Sequence, residues 1–182
     1  AGWTTSSSGA QSDWVTSSSA SDTAPNSCFS PDALGIGLNE LDSPAITLPN
    51  GPAQLSFRHN YVFVNGYDGG VLEVKIGSGS WTDILTAGGS FVSGGYPGTL
   101  DGYYGNPLAG RSAWTGNSGG FGNFISTVVT LPPAASAQTI QLRWRCGTAG
   151  SFGTTGWYMD TVSITGSSYL CCPEVVADLA LS

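Results

Sequence analysis

The sequence predicts an all-β fold: an antiparallel jelly-roll β-sandwich with a long Gly-rich loop excursion and an extra C-terminal strand. Three observations carry this. Segments of strand length alternate apolar and polar residues with a period of two, as expected of a strand with one buried face. Turn formers separate them at short spacing, with no apolar stripe of helical period. Only 9% of the 182 residues are charged, and Glu, Lys and Arg together number eight (three Glu, five Lys plus Arg), so residues that favour helix surfaces are scarce.

The elements follow in order. Residues 1–27 are Ser/Thr-rich, with two short strands expected around Trp3, Trp14 and Val15. Pro31-Asp32 reads as a turn, and Ala45 to Leu48 as a strand closed by Pro49-Asn50-Gly51. Gln54 to Val64 is the first long strand, with Leu55, Phe57, His59, Tyr61 and Phe63 on one face. Asn65-Gly66 and Asp68-Gly69-Gly70 are turn signals. Val71 to Gly77 places Leu72, Val74 and Ile76 against Glu73 and Lys75, and a Gly/Ser turn leads into Trp81 to Leu85. Residues 86–123 hold most of the glycines together with Phe91, Tyr96, Tyr103, Tyr104, Trp114 and Phe121. A connection of that length and aromatic content is expected to be a folded excursion over the sandwich. Three strands follow: Phe124 to Leu131, Thr139 to Cys146 and Trp157 to Thr165. In the last, Tyr158, Asp160, Val162 and Ile164 share one parity. Residues 1–170 thus read as the sandwich and 171–182 as a strand-like tail, with Val175, Ala177, Leu179 and Leu181 on one side.

Composition removes several functions. One Lys and four Arg against twelve acids, net charge −7, give no basic footprint for nucleic acid. An aromatic content of 11% is unlike a disordered chain. No apolar run reaches the ~18 residues of a membrane span. Cys28, Cys146, Cys171 and Cys172 form no metal-binding spacing, and an even number in a secreted-looking chain points to disulfides of undetermined connectivity.

Gly116-Asn117-Ser118-Gly119-Gly120 satisfies the G-x-S-x-G pattern, but the hydrolase elbow needs a strand before it and a helix after it. The single His, His59, shares the parity of core residues and reads as a satisfied core histidine rather than a base. With only Glu40, Glu73 and Glu174, no glycosidase pair stands out either. The chain is read as having no catalytic activity.

Four stretches resemble a known family. They are LSFRHNYVFVNGYDGGVLEVKIGSGSWTDI (Leu55 to Ile84), GYPGTLDGYYGNPLAGRSAWTGNSGGF (Gly95 to Phe121), QLRWRCGT (Gln141 to Thr148) and TGWYMDTVSI (Thr155 to Ile164). Together they resemble the MAM-like jelly-roll modules appended to immune-inhibitor-A-type metallopeptidases and bacterial surface proteins. Those modules are similar in turn to calcium-containing carbohydrate-binding jelly rolls. The resemblance implies a non-catalytic, extracellular or surface-attached bacterial module for surface adhesion or glycan binding. The tail VADLALS is similar to the opening strand of an Ig-like repeat.

The resemblance also implies a structural calcium with an Asp of the last strand as ligand, which here is Asp160. Its parity points it inward, and a buried carboxylate needs a counter-charge, against the alternative that Asp160 pairs with Arg143 or Arg145 or caps backbone amides. Asp68 and Glu73 are expected partners, with Asp13 or Asp32 supplying an N-terminal acid. For glycan contact the expected residues are Trp81, Tyr96, Tyr103, Tyr104 and Trp114, against the alternative that such aromatics pin the excursion to the sandwich. Each Arg is expected to serve one ion pair or a fan of backbone carbonyls. The tail offers a second reading, a self-assembling filament subunit whose Val175 to Leu181 strand completes a neighbouring copy's sheet.

Overall fold

The computed structural model of the protein describes residues 2–150, 152–166 and 175–179. In chain order its strands are β1 (Thr4–Gly9), β2 (Val15–Ser17), β3 (Ser27–Pro31), β4 (Gly37–Asp42), β5 (Ile46–Thr47), β6 (Ala53–Val62), β7 (Gly69–Ile76), β8 (Thr82–Asp83), β9 (Ser90–Ser93), β10 (Gly98–Thr99), β11 (Ser112–Ala113), β12 (Ile125–Thr130), β13 (Thr139–Thr148), β14 (Gly156–Gly166) and β15 (Val175–Leu179). Two antiparallel sheets face each other in a jelly-roll sandwich. The first has the order β1-β4-β13-β7-β8, with β5 also on β13. The second runs β2-β3-β14-β6-β12-β9, with β15 also on β14. The period-2 pattern explains both inner faces. Leu55, Phe57, His59, Tyr61 and Phe63 come from β6 and its end, and Ile140, Leu142, Trp144 and Cys146 from β13; all are buried.

β3 and β4 are not evident in the sequence. β4 alternates buried and half-buried positions, but one inward residue is Asn39. Its amide is satisfied inside by Ser12 O at 2.7 Å and Ser30 Oγ at 2.9 Å. A polar group at a core position disguises the alternation.

β14 also departs from its simple pattern. Trp157 and Met159 point into the core, and so do Val162 and Ile164. The parity switches because the register against β6 shifts between Asp160 and Ser163, where Thr161 adopts φ 49°. Asp160 is therefore turned away from the core, contrary to the even-parity expectation.

β15 adds to its own sheet. β3 covers β14 only from Gly156 to Met159, leaving the edge beyond it bare; β15 pairs there, Val162 to Leu179 through Gly166 to Val175. The expected donor strand thus has a place in the same chain. The side-chain roles expected of Val175, Ala177 and Leu179 are not described, and Leu181 lies outside the described residues.

The excursion closes the open side of the sandwich. Trp114 pairs its backbone with Gly70 of the first sheet, and Asn117 bridges Val62 of the second. The Trp114 side chain is 0% exposed. It lies 4.6 Å from Tyr96 and 5.6 Å from Phe57 between ring centroids. Its indole donates to Gly94 O at 2.8 Å, and the Tyr96 hydroxyl accepts from Leu72 N at 2.8 Å. Further along, Leu100, Leu108 and Ala113 lie on Val71, on the outer side of the first sheet, as a second small core.

His59 is fully satisfied. Trp157 donates to Nδ1 at 3.1 Å, and Nε2 meets Thr127 Oγ1 at 2.8 Å. Thr127 Oγ1 in turn donates to Gly94 O at 2.7 Å, which assigns the ring proton to Nε2. Burial, then the positive charge of Arg58, hold the imidazole down at about 3.

Two predictions follow from this packing. Trp114→Ala should cost about 3–5 kcal/mol in urea unfolding, whereas Tyr103→Ala, on the exposed part of the excursion, should stay within about 0.5 kcal/mol. The folded imidazole should remain neutral to about pH 3, while an unfolded one protonates near 6.5. The contribution of His59 to stability is then complete above pH 6.5 and is lost as the pH falls towards 3. In NMR the single imidazole Cε1–H shift should stay flat from about pH 8 to about pH 4.5, and an inflection near 6.5 would show an exposed ring.

Candidate functional site

The loops at one end of the sandwich bring together two buried carboxylates and an exposed aromatic patch. Asp32 follows β3, and Asp68 closes the turn between β6 and β7. Asp32 Oδ2 accepts from Thr154 N at 2.8 Å and Thr154 Oγ1 at 2.6 Å. Asp68, 0% exposed, accepts from Ala149 N at 2.5 Å through Oδ1. Asp32 Oδ1 and Asp68 Oδ2 are buried without a partner. Burial raises the Asp32 pKa against its bonds from Thr154 and Val64. Burial also pushes the Asp68 carboxyl up to about 7, against the pull of the Ala149 amide and with the Asp32 charge acting in the same direction. Two orphaned carboxylate oxygens in one buried site fit a hard, oxygen-seeking cation. Further ligands would come from backbone carbonyls or water, since no cluster of three His, Cys, Asp or Glu occurs among the described residues.

The other acids expected as metal ligands lie elsewhere. Asp160 faces the outer side of the second sheet, where Oδ2 accepts from Asp22 N at 2.9 Å and Thr23 N at 2.8 Å, and Oδ1 from Thr161 N at 2.7 Å. Glu73 receives Arg111 and Arg145 on the outer face of the first sheet. Asp13 is exposed. Of the two N-terminal acids weighed from the sequence, Asp32 is the one placed with Asp68.

The aromatic patch borders this pair. Tyr67 precedes Asp68, and its ring meets Tyr104 edge-on at 4.9 Å; Tyr104 meets Tyr103 edge-on at 4.8 Å. Tyr103 is 81% exposed and Tyr104 38%. The loop is braced from below. Gly150 N donates to Tyr104 O at 2.9 Å, and Asn106 Nδ2 donates to Tyr67 O at 2.6 Å and Gly147 O at 2.8 Å. Asp101 Oδ1 accepts from Tyr103 N at 2.6 Å. Ile36 lies against Gly105 and Gly150, and Leu34, Ile36 and Phe152 are exposed. Tyr67 was not a sequence candidate; its adjacency to Asp68 in the YDGG turn was the only signal.

The remaining aromatic candidates are packed elsewhere. Trp114 and Tyr96 seal the sandwich as described. Trp81 is half-buried on the outer face of the first sheet, with the Arg143 guanidinium 4.2 Å from its ring centroid. Arg143 also binds Asp42 with two nitrogens at 2.7 Å each and Glu40 at 3.2 Å. Arg145 joins Glu40 to Glu73, and Arg111 joins Glu73 to Asp83. These arginines therefore share carboxylates in one chain of seven residues rather than each serving one pair.

Cys28 and Cys146 are buried free thiols on opposite sheets, not the disulfide partners expected, and burial raises the pKa of each. Cys171 and Cys172 lie outside the described residues. Ser118 Oγ bonds Asn60 Nδ2 at 2.8 Å, on the face of β6 opposite His59, whose nitrogens are both engaged. The G-x-S-x-G run is thus a loop pinned on Asn60, which also donates to Gly120 O and Asn123 O. No helix of the described residues is long and apolar enough to cross a membrane.

No family model and no curated protein matches the chain. Among solved structures it is similar to a carbohydrate-binding module of the β-sandwich superfamily, described for promiscuous specificity, at 13% identity and TM-score 0.51. That match covers 88% of this chain and 56% of the other, so the chain spans just over half the neighbour's length. It also matches TmCBM61 in complex with β-1,4-galactotriose, at 14% identity and TM-score 0.48, over 91% of this chain and 88% of that one. A third match is the K1 cleaved adhesin domain of Lys-gingipain from Porphyromonas gingivalis W83, at 16% identity and TM-score 0.47, over 91% of both chains. At these identities the first likeness establishes the β-sandwich fold of the chain.

Proposed function

We propose that the chain is a non-catalytic, extracellular glycan-binding module for surface adhesion, and that it holds its ligand at the loop end of the sandwich. The observation that carries this is the exposed Tyr103–Tyr104 pair, held against Tyr67. A pyranose ring offers an apolar C–H face to a tyrosine, and bordering polar groups read its hydroxyls. The shared fold with a β-sandwich carbohydrate-binding module supports the reading.

A calcium ion held by Asp32 and Asp68 is part of the proposal. When bound it supplies positive charge to two carboxylates that are otherwise buried with unpartnered oxygens. Those residues tie the end of β3, the turn before β7 and, through Thr154 and Ala149, the loop before β14. The same loops border the tyrosines, so the ion would stiffen the ground on which they stand.

Two measurements test the proposal. Tyr103→Ala and Tyr104→Ala should each weaken glycan retention in affinity electrophoresis by about tenfold while leaving the melting temperature unchanged; wild-type retention of the substituted proteins would sink the loop-end site. Calcium at about a hundredfold its Kd should stabilise the wild-type protein by about 2.7 kcal/mol. Asp68→Asn should lose that response and be no less stable than wild type in chelator at pH 8. Identical melting of the wild type with and without calcium would refute the metal site.

A further inference from the structure

We infer that the loop-end site takes neutral glycans and rejects polysaccharides bearing carboxylate or sulfate groups. The inference rests on the glycan-binding reading and adds the class of ligand. It comes from the location of every cation in the chain. There are five Lys and Arg. Arg111, Arg143 and Arg145 are bound to Glu40, Asp42, Glu73 and Asp83 on the outer face of the first sheet. Arg58 is bound to Asp22 at 2.9 Å and to Phe124 O at 2.8 Å on the outer face of the second sheet. Lys75 pairs opposite Gln141 near the far end of β7, six residues from Gly69 and so about 20 Å along the strand from the loop end. His59 is buried and neutral.

Arg111 shares the excursion with the tyrosines, its backbone O accepting from Leu100 N, but its guanidinium is committed to Glu73 and Asp83; the charges beside the tyrosines that no ion pair engages are therefore acidic. Asp101 is exposed beside Tyr103, and Asp32 and Asp68 are buried beneath. A divalent cation there would be balanced by those two carboxylates and would leave Asp101 as the charge at the rim. The chain as a whole carries −7. A uronate or sulfate placed on these tyrosines would lose water without gaining a counter-charge, and would face like charge. A neutral sugar pays neither penalty. Stacking uses its apolar face, and the backbone carbonyls and amides of a glycine-rich loop serve its hydroxyls in either direction.

The test uses the full chain in affinity electrophoresis with matched polysaccharides: neutral galactan against polygalacturonate, and dextran against dextran sulfate. The expected result is binding of at least one neutral member, with its charged counterpart weaker by about tenfold or more. That binding should not change between about 50 mM and about 500 mM salt, and should be lost in the Tyr103→Ala, Tyr104→Ala double variant. Asp101→Asn keeps an acceptor for Tyr103 N and removes the charge, so it should narrow the gap to the charged member by a few-fold. Equal or tighter binding of a charged member, or binding that collapses with salt, overturns the selectivity and leaves the glycan-binding reading intact. Retention of none of the four polymers by the wild type, or retention untouched by the double variant, overturns the loop-end site and the inference with it.

Discussion

The sandwich is organised around Trp157. A β-carbon on Gly70, in the opposite sheet, would overlap the Trp157 ring, so the two sheets approach closely here only because one position is glycine. The same ring meets Trp14 at 5.4 Å and Trp114 at 5.5 Å, and its indole N–H is absorbed by His59. A buried indole without an acceptor would be costly. His59 supplies that acceptor while staying neutral, and its Nε2–H donates to Thr127 Oγ1, which donates in turn to Gly94 O beside the second sheet's edge strand. One hydrogen-bonded chain thus links β14, β6, β12 and the start of the excursion at Gly94. Trp114 then has a preformed aromatic wall to close against, and the exposed half of the excursion leaves the sandwich from a fixed base.

Scarcity of charge sets the second constraint. With five cations and twelve acids, solvent-facing ion pairs cannot be scattered over the surface. Three of the four arginines are gathered on one face, where Glu40 and Glu73 each serve two guanidinium groups, Asp42 binds one guanidinium twice and Asp83 ends the chain on Arg111. Arg111 belongs to the excursion and Glu73 to β7, so this network also fastens the excursion to the sheet beneath it. These side chains are only 6–26% exposed, so the pairs are shielded in part from water and share their charges as a network. Their arrangement matters more through what it commits: every guanidinium of the chain is held by a carboxylate, including that of Arg111, whose backbone pairs with Leu100 on the same excursion as the tyrosines.

Much of the sandwich was legible because its inward faces follow a strict period of two. β6, β7 and β13 fall where alternation places them, and His59 reads correctly as a core residue because it sits in register with Leu55, Phe57 and Phe63. Alternation failed where the backbone breaks it. The bulge at Thr161 transfers the buried parity from Trp157 and Met159 to Val162 and Ile164, so counting back from Ile164 wrongly turns Asp160 inward. β3 and β4 were hidden for a different reason: their inner positions include Ser30 and Asn39, which are buried but bond each other and the backbone carbonyl of Ser12. Neither a bulge nor a buried polar pair leaves a mark on hydrophobic pattern, because both are solved by partners distant in sequence.

The excursion shows the same limit at the site itself. Its aromatic residues look equivalent in sequence, yet they divide by what lies under them. Tyr96 and Trp114 stand over the gap between the sheets, where Gly69 and Gly70 admit the chain closely, and their polar atoms find backbone partners there. Tyr103 and Tyr104 lie past Leu100, on a segment that has already buried its apolar side chains against Val71. Nothing remains beneath for their rings to fill, so they turn outward and pack on each other and on Tyr67. A ring that is exposed yet held by bonds to its own backbone loses little freedom when a ligand stacks on it. The glycines and the buried anchors of the excursion are thus what hold its two outward tyrosines as a fixed surface rather than a mobile loop tip.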